Sequence, residues 1–179
     1  MYHDWKSLYK TLLEHNVKDN GKNEKRETNW MKYCRGLYDG LKYLVYDNGE
    51  EIINELAATP VLTDSNLEII SLISNQIHGL GFALTCDWIK ECGCLWVSKP
   101  DNHIKCVVQY IKKTETIKDK DVLIFIDSWA KELRHSGRFD NISAYKIDKI
   151  IWLLCTGNFY LDDNKIGHSA VFKTIDLLR

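Results

Sequence analysis

Proline is nearly missing from this chain: Pro60 and Pro100 are the only two in 179 residues. Proline breaks helices and punctuates turn-rich β architectures, so its scarcity speaks for long helices and against a many-turned sandwich. An excess of positive charge is lacking too. Lys and Arg number 24 against 25 Asp and Glu, a formal net charge of −1. That excludes a polycation that coats nucleic acid, and any contact with a phosphate backbone would rest on a local patch. No stretch approaches the roughly 18 apolar residues of a membrane span, and the opening MYHDWKSLYK carries no apolar core of signal-peptide length. The expectation is a cytoplasmic protein with no membrane partner. Its six cysteines, Cys34, Cys86, Cys92, Cys94, Cys106 and Cys155, are then reduced. Cys92-Gly93-Cys94 is a CxC, not the CxxC of a zinc knuckle or a thioredoxin-like site. A zinc site from Cys86, Cys92, Cys94 and Cys106 stays open. Buried thiols are the preferred reading, because Cys86 and Cys106 fall in apolar helical patterns. Neither an internal repeat nor a low-complexity segment interrupts the chain, and 1–179 reads as one domain.

What is present suits a packed helical core. Apolar residues make up 45% and charged residues 27%, and six Trp with nine Tyr supply large apolar surfaces. Apolar positions recur every three or four residues, the helical period. Trp5, Leu8, Tyr9, Leu12 and Leu13 define a first helix to His15, and Lys18 to Glu27 a charged loop. Thr28 is an N-cap candidate for a helix to Tyr46 whose inner face carries Trp30, Tyr33, Cys34, Leu37, Leu41, Leu44 and Val45. A short helix from Glu50 to Ala58 precedes Pro60. Asp64 or Ser65 caps a fourth, with Leu67, Ile70, Ile73 and Ile77 inward. A helix from Phe82 to Cys92, an irregular stretch Gly93–Lys99, and a helix opening at Pro100-Asp101 with Ile104, Val107, Val108 and Ile111 follow. The next runs Asp121–His135 with Ile124, Trp129 and Leu133 inward, although Val122–Ile126 alone would also suit a buried strand. Ser143 caps a helix to Cys155 with Ile147, Ile150, Ile151 and Leu154 buried, and Ala170–Leu178 forms a last one. The fold class is all-α.

Two features between residues 77 and 104 carry chemistry. Ile77-His78-Gly79-Leu80-Gly81 is a Gly-X-Gly turn between two helical patterns, followed by Phe82-Ala83-Leu84-Thr85. Glycines let the backbone turn tightly and approach a phosphate, and the following helix start adds oriented N–H groups. Lys99-Pro100-Asp101-Asn102-His103-Ile104 opens a later helix, and Asp101 lies twenty positions beyond Gly81. By itself an Asp at a helix start is an N-cap. Together, hairpin, spacing and Asp-X-His-Ile resemble the helix-hairpin-helix DNA glycosylase superfamily over about residues 75–111.

That resemblance implies a compact, two-lobed helical bundle acting as a monomer on double-stranded DNA. It implies a flipped, damaged or modified base removed by N-glycosidic hydrolysis, in base excision repair or in defence against phage DNA. Asp101 would be the catalytic carboxylate, stabilising the oxocarbenium-like sugar or activating water. His78, Gly79, Leu80, Gly81, Phe82, Lys99, His103 and Lys105 would contact DNA, and Trp30, Tyr33 and Trp88 would line the base pocket. Ala83 stands where lyase-competent members carry a Schiff-base lysine, which implies a monofunctional enzyme. His78 replaces the usual hairpin proline, and no four-cysteine iron–sulfur signature is present. No cofactor or metal is called for, beyond a monovalent cation at the hairpin carbonyls. Lys112, Lys113, Arg134, His135 and Arg138 are further phosphate candidates, Tyr38 a further stacking one, and Asn158, Phe159 and Tyr160 further cleft candidates. Two other readings stand beside this one. A non-catalytic helix-hairpin-helix DNA-binding module would use the hairpin alone. A structural or toxin-regulating helical protein would use neither feature.

Overall fold

The computed structural model describes residues 4–19, 27–157 and 167–177. Among the described residues the chain forms nine α-helices and no strand. They are α1 (Trp5–Glu14), α2 (Asn29–Tyr46), α3 (Gly49–Ala58), α4 (Asp64–Gln76), α5 (Phe82–Glu91), α6 (Asn102–Lys112), α7 (Asp119–His135), α8 (Ala144–Thr156) and α9 (Gly167–Leu177). Val122–Ile126 is helical, inside α7.

Side-chain caps set most of the helix starts. Asp4, Thr28, Thr63, Asp101 and Ser143 each accept a backbone N–H from the first turn of α1, α2, α4, α6 and α8, satisfying donors a helix cannot pair internally. At α4 the cap is Thr63, one residue ahead of the expected Asp64. Gly157 closes α8 in the left-handed conformation, the usual C-terminal use of glycine.

Two apolar clusters form the core. Tyr43, Ile53, Leu56, Leu67, Ile70, Ile73, Ile77, Cys86, Ile89 and Trp96 build one from α2 to α5 and the strap after α5. Ile104, Val107, Val108, Val122, Ile126, Ala130, Ile147, Ile151 and Val171 build the other from α6 to α9. α7 faces both, since Leu123 belongs to the first cluster and its neighbour Val122 to the second.

Where the spacing misleads, it does so on faces that have no neighbour. On α2 only Cys34 and Tyr43 are buried, while Tyr33, Leu37, Leu41 and Val45 are exposed. α1 packs on α2 but has no buried residue, and Leu13 is exposed. Ile124 and Ile150, expected inward, point outward. Cys106 is exposed as well, whereas Cys86 is buried as expected. Periodicity reports that a face is apolar, and burial needs a second element to cover it.

Candidate functional site

The hairpin is assembled by its backbone. α4 ends at Gln76, and the Leu80 N–H donates to the Ile77 carbonyl at 3.1 Å to close the turn. Gly79 has φ +76°, a left-handed conformation that side chains rarely adopt. Gly81 is extended (φ −63°, ψ 167°) and leads into α5, whose start has no side-chain cap. An added Cβ at Gly81 would meet no atom within 4 Å, so this end of α5 faces open space. Ile77 is buried, and half-buried Leu80 and Phe82 pack on the first core cluster. Ala83 follows on the first turn of α5. α2 crosses close behind the turn, where a Cβ on Gly36 would stand 2.8 Å from the His78 carbonyl oxygen.

His78 itself is engaged. Its amide donates to Asp39 Oδ2 at 3.2 Å, and its ring Nε2 meets Glu27 Oε2 at 2.7 Å. Those two carboxylates occupy the His78 side of the hairpin, and the start of α5 carries the partial positive charge of a helix N-terminus.

Asp101 sits at the end of a strap pinned from both sides. Trp96 Nε1 donates to the Leu56 carbonyl at 2.9 Å, and the Tyr145 amide donates to the Leu95 carbonyl at 3.0 Å. The Lys99 amide donates to Asp148 Oδ2, and Lys99 Nζ pairs with Asp87 Oδ2 at 3.0 Å. Pro100 is buried, and half-buried Asp101 then caps α6. Its Oδ1 accepts both cap bonds, from the His103 amide at 2.9 Å and the Ile104 amide at 3.1 Å. Among the described residues Oδ2 takes no part in the cap, so the carboxylate is held in direction through Oδ1.

Behind the strap lies a buried ion cluster that the sequence does not announce. Lys90 Nζ, on a side chain 3% exposed, lies 3.0 Å from Asp148 Oδ2 and 3.0 Å from Asp87 Oδ1. Burial pushes the Asp148 carboxyl above its ordinary range, outweighing Lys90 and the Lys99 amide. At Asp87 burial works in the same direction, but Lys90 and Lys99 prevail and hold the carboxyl below it. The cluster ties α5 to α8 and fixes the backbone two residues ahead of Asp101.

The other expected site residues fall into separate places. Tyr33 and Trp88 line one apolar groove of about 550 Å³ together with Leu37, Leu41 and the hairpin's His78, Gly79 and Leu80. Trp30 packs edge-on against Tyr33, with ring centroids 5.8 Å apart. Asp101 does not line this groove, so the stacking candidates and the carboxylate are not gathered in it. Lys105 pairs with Asp119 at 2.6 Å, and so Lys99 and Lys105 are both in ion pairs. Arg134 donates to the Ile142 carbonyl, His135 contacts the Lys131 carbonyl, and Lys112 stands over the Phe125 ring. Tyr38 is half-buried on α2, while Lys113 and Arg138 are exposed. Asn158, Phe159 and Tyr160 lie outside the described residues.

Cys86, Cys92, Cys94 and Cys106 do not converge as metal ligands. Among the described residues the ligand-type atoms that do come together belong to His103, Cys155 and His168. Burial pushes the Cys94 thiol up to about 12 and the Cys155 thiol up to about 11. No helix among the described residues is long and apolar enough to cross a membrane. Compared with protein-family models, curated proteins and solved structures, the chain matches none of them.

Proposed function

We propose that this chain is a DNA glycosylase of the helix-hairpin-helix type that excises a damaged or modified base by hydrolysis, without lyase activity. The observation that carries the reading is the hairpin backbone followed by a held carboxylate. Gly79 is left-handed, Gly81 opens an α5 without a side-chain cap, and twenty positions on Asp101 is held through Oδ1. In this reading the amides at the start of α5 hold a backbone phosphate, with Gly79 to Phe82 against the strand. Asp101 Oδ2 stabilises positive charge on the sugar as the base departs, or takes a proton from water. Ala83 offers no amine, so the reaction forms no Schiff base. Repair of damage and defence against phage DNA with modified bases use the same chemistry, and either fits.

The test is a panel of duplexes, each carrying one modified or damaged base, incubated with the full chain and then treated with alkali. Strand scission that requires the alkali step supports the reading. Tyr33 and Trp88, which share the groove with the hairpin, are the stacking residues to substitute first. A second reading, a non-catalytic DNA-binding module, is favoured by one observation: Asp101 already serves as the α6 cap and lies outside that groove. Salt-dependent binding of every duplex with scission of none would select it.

A further inference from the structure

Three side chains from distant parts of the sequence converge where α6, α8 and α9 meet. His103 lies in the first turn of α6, Cys155 near the end of α8, and His168 at the start of α9. The His103 Nδ1 and His168 Nε2 atoms are 3.1 Å apart, and the two rings stack at 15° with centroids 5.0 Å apart. Cys155 is buried, both histidines are half-buried, and one ligand atom from each of the three lies within 4.8 Å of the others. Two imidazoles and a thiol suit a metal of the zinc class, whereas calcium or magnesium would call for oxygen donors.

We propose that His103, Cys155 and His168 bind one zinc-class divalent ion, with water in the fourth position. Nothing in this site depends on the glycosylase reading. On binding, the hydrogen shared between the two rings moves to the outward nitrogen of the ring that carries it. The Cys155 proton passes to solvent, and both rings and the thiolate then present lone pairs to the ion. A metal here would add a ligand set shared by three helices to the packing that already holds α9 on α6 and α8. Val171 is its one buried residue, joined by half-buried Phe172 and Ile175 on the second cluster, the stack of Phe172 on Tyr110 at 4.2 Å and the hydrogen bond from Tyr110 to Asp176. An ion shared by three helices would fasten α9 and also brace the first turn of α6, which Asp101 caps.

The experiment is titration of metal-stripped, reduced full-length chain with Co²⁺, followed by displacement with Zn²⁺. The expected result is one ion per chain, tetrahedral visible bands and a thiolate-to-cobalt charge-transfer band. Cys155→Ser should lose the charge-transfer band. His168→Ala should weaken binding by at least tenfold, and exposed Cys106→Ser should change neither readout. Zn²⁺ at a hundredfold excess over the wild-type Kd should raise the wild-type Tm by about 5–10 °C, and that of His168→Ala by no more than about half as much. Should Cys155→Ser fail to fold, His103→Ala and His168→Ala give the same reading from half-exposed positions. Absence of the charge-transfer band in wild-type chain, or cobalt binding unchanged in both histidine variants, would overturn the proposal.

Discussion

Asp148→Ala removes the acceptor of Lys90 Nζ and of the Lys99 amide at once. Both charged side chains of the pair are 3% exposed, so water cannot replace the lost partner without opening α5 from α8. Breaking a buried ion pair from one side costs about 3–5 kcal/mol, because the remaining charge is stranded. Asp87 still stands 3.0 Å from Lys90 Nζ and is partly exposed, which places the expected loss near the lower end, about 3 kcal/mol. In a chain of this length each kcal/mol moves the midpoint by about 2–4 °C, so the Tm should fall by about 6–12 °C. Lys90→Met should cost a similar amount. The double variant Lys90→Met/Asp148→Leu should recover part of the loss, since an apolar pair strands no charge, while the Lys99 amide still lacks its acceptor. Thermal and urea unfolding followed by circular dichroism at a helical wavelength measure all three. A loss under about 1 kcal/mol, the value of an exposed pair, would refute the buried cluster, as would a double variant that loses the sum of the two.

Asp87 gives the same cluster a pH signature. Its folded carboxyl is held below the usual range, so its stabilisation is complete above the unfolded value of about 3.9 and is lost as pH falls through the folded one. Wild type should therefore unfold later than Asp87→Asn in urea at neutral pH, and the gap should close in acid. Gly81→Val should fold normally, because its Cβ meets open space, yet bind all duplexes more weakly with a shallower salt slope in anisotropy titrations. Gly36→Ala should lower the Tm, as its Cβ would press on the His78 carbonyl at 2.8 Å, at a cost of about 1–3 kcal/mol. Borohydride should trap no covalent complex with DNA, since Ala83 carries no amine. An adduct surviving denaturing electrophoresis would contradict that.

The helices were legible where a face meets a partner. Leu67, Ile70 and Ile73 on α4 with Ile77 just past its end, and Ile104, Val107 and Val108 on α6, repeat at helical spacing and are buried. The α2 stripe repeats as clearly, yet Tyr33, Leu37 and Leu41 border an open groove, because nothing in a periodicity says what stands opposite. The turn at Gly79 and the position of Asp101 at a helix start were visible from residue type alone. The ion cluster was not: Lys90 and Asp148 are 58 positions apart, and each reads as an ordinary charge on an amphipathic helix. His168, 65 positions from His103, carried no motif that would join it to that residue or to Cys155.

Asp101→Asn is the substitution that bears most directly on the proposed function. Asparagine caps helices about as well as aspartate, so its side-chain carbonyl can keep the bonds from His103 and Ile104 while the charge is lost. The measurement is single-turnover base excision on whichever duplex of the panel the wild-type chain cleaves, with duplex affinity determined in parallel. The glycosylase reading predicts a rate lower by about 10²–10⁴-fold with affinity and fold unchanged. Excision at the wild-type rate by a folded Asp101→Asn chain would contradict it.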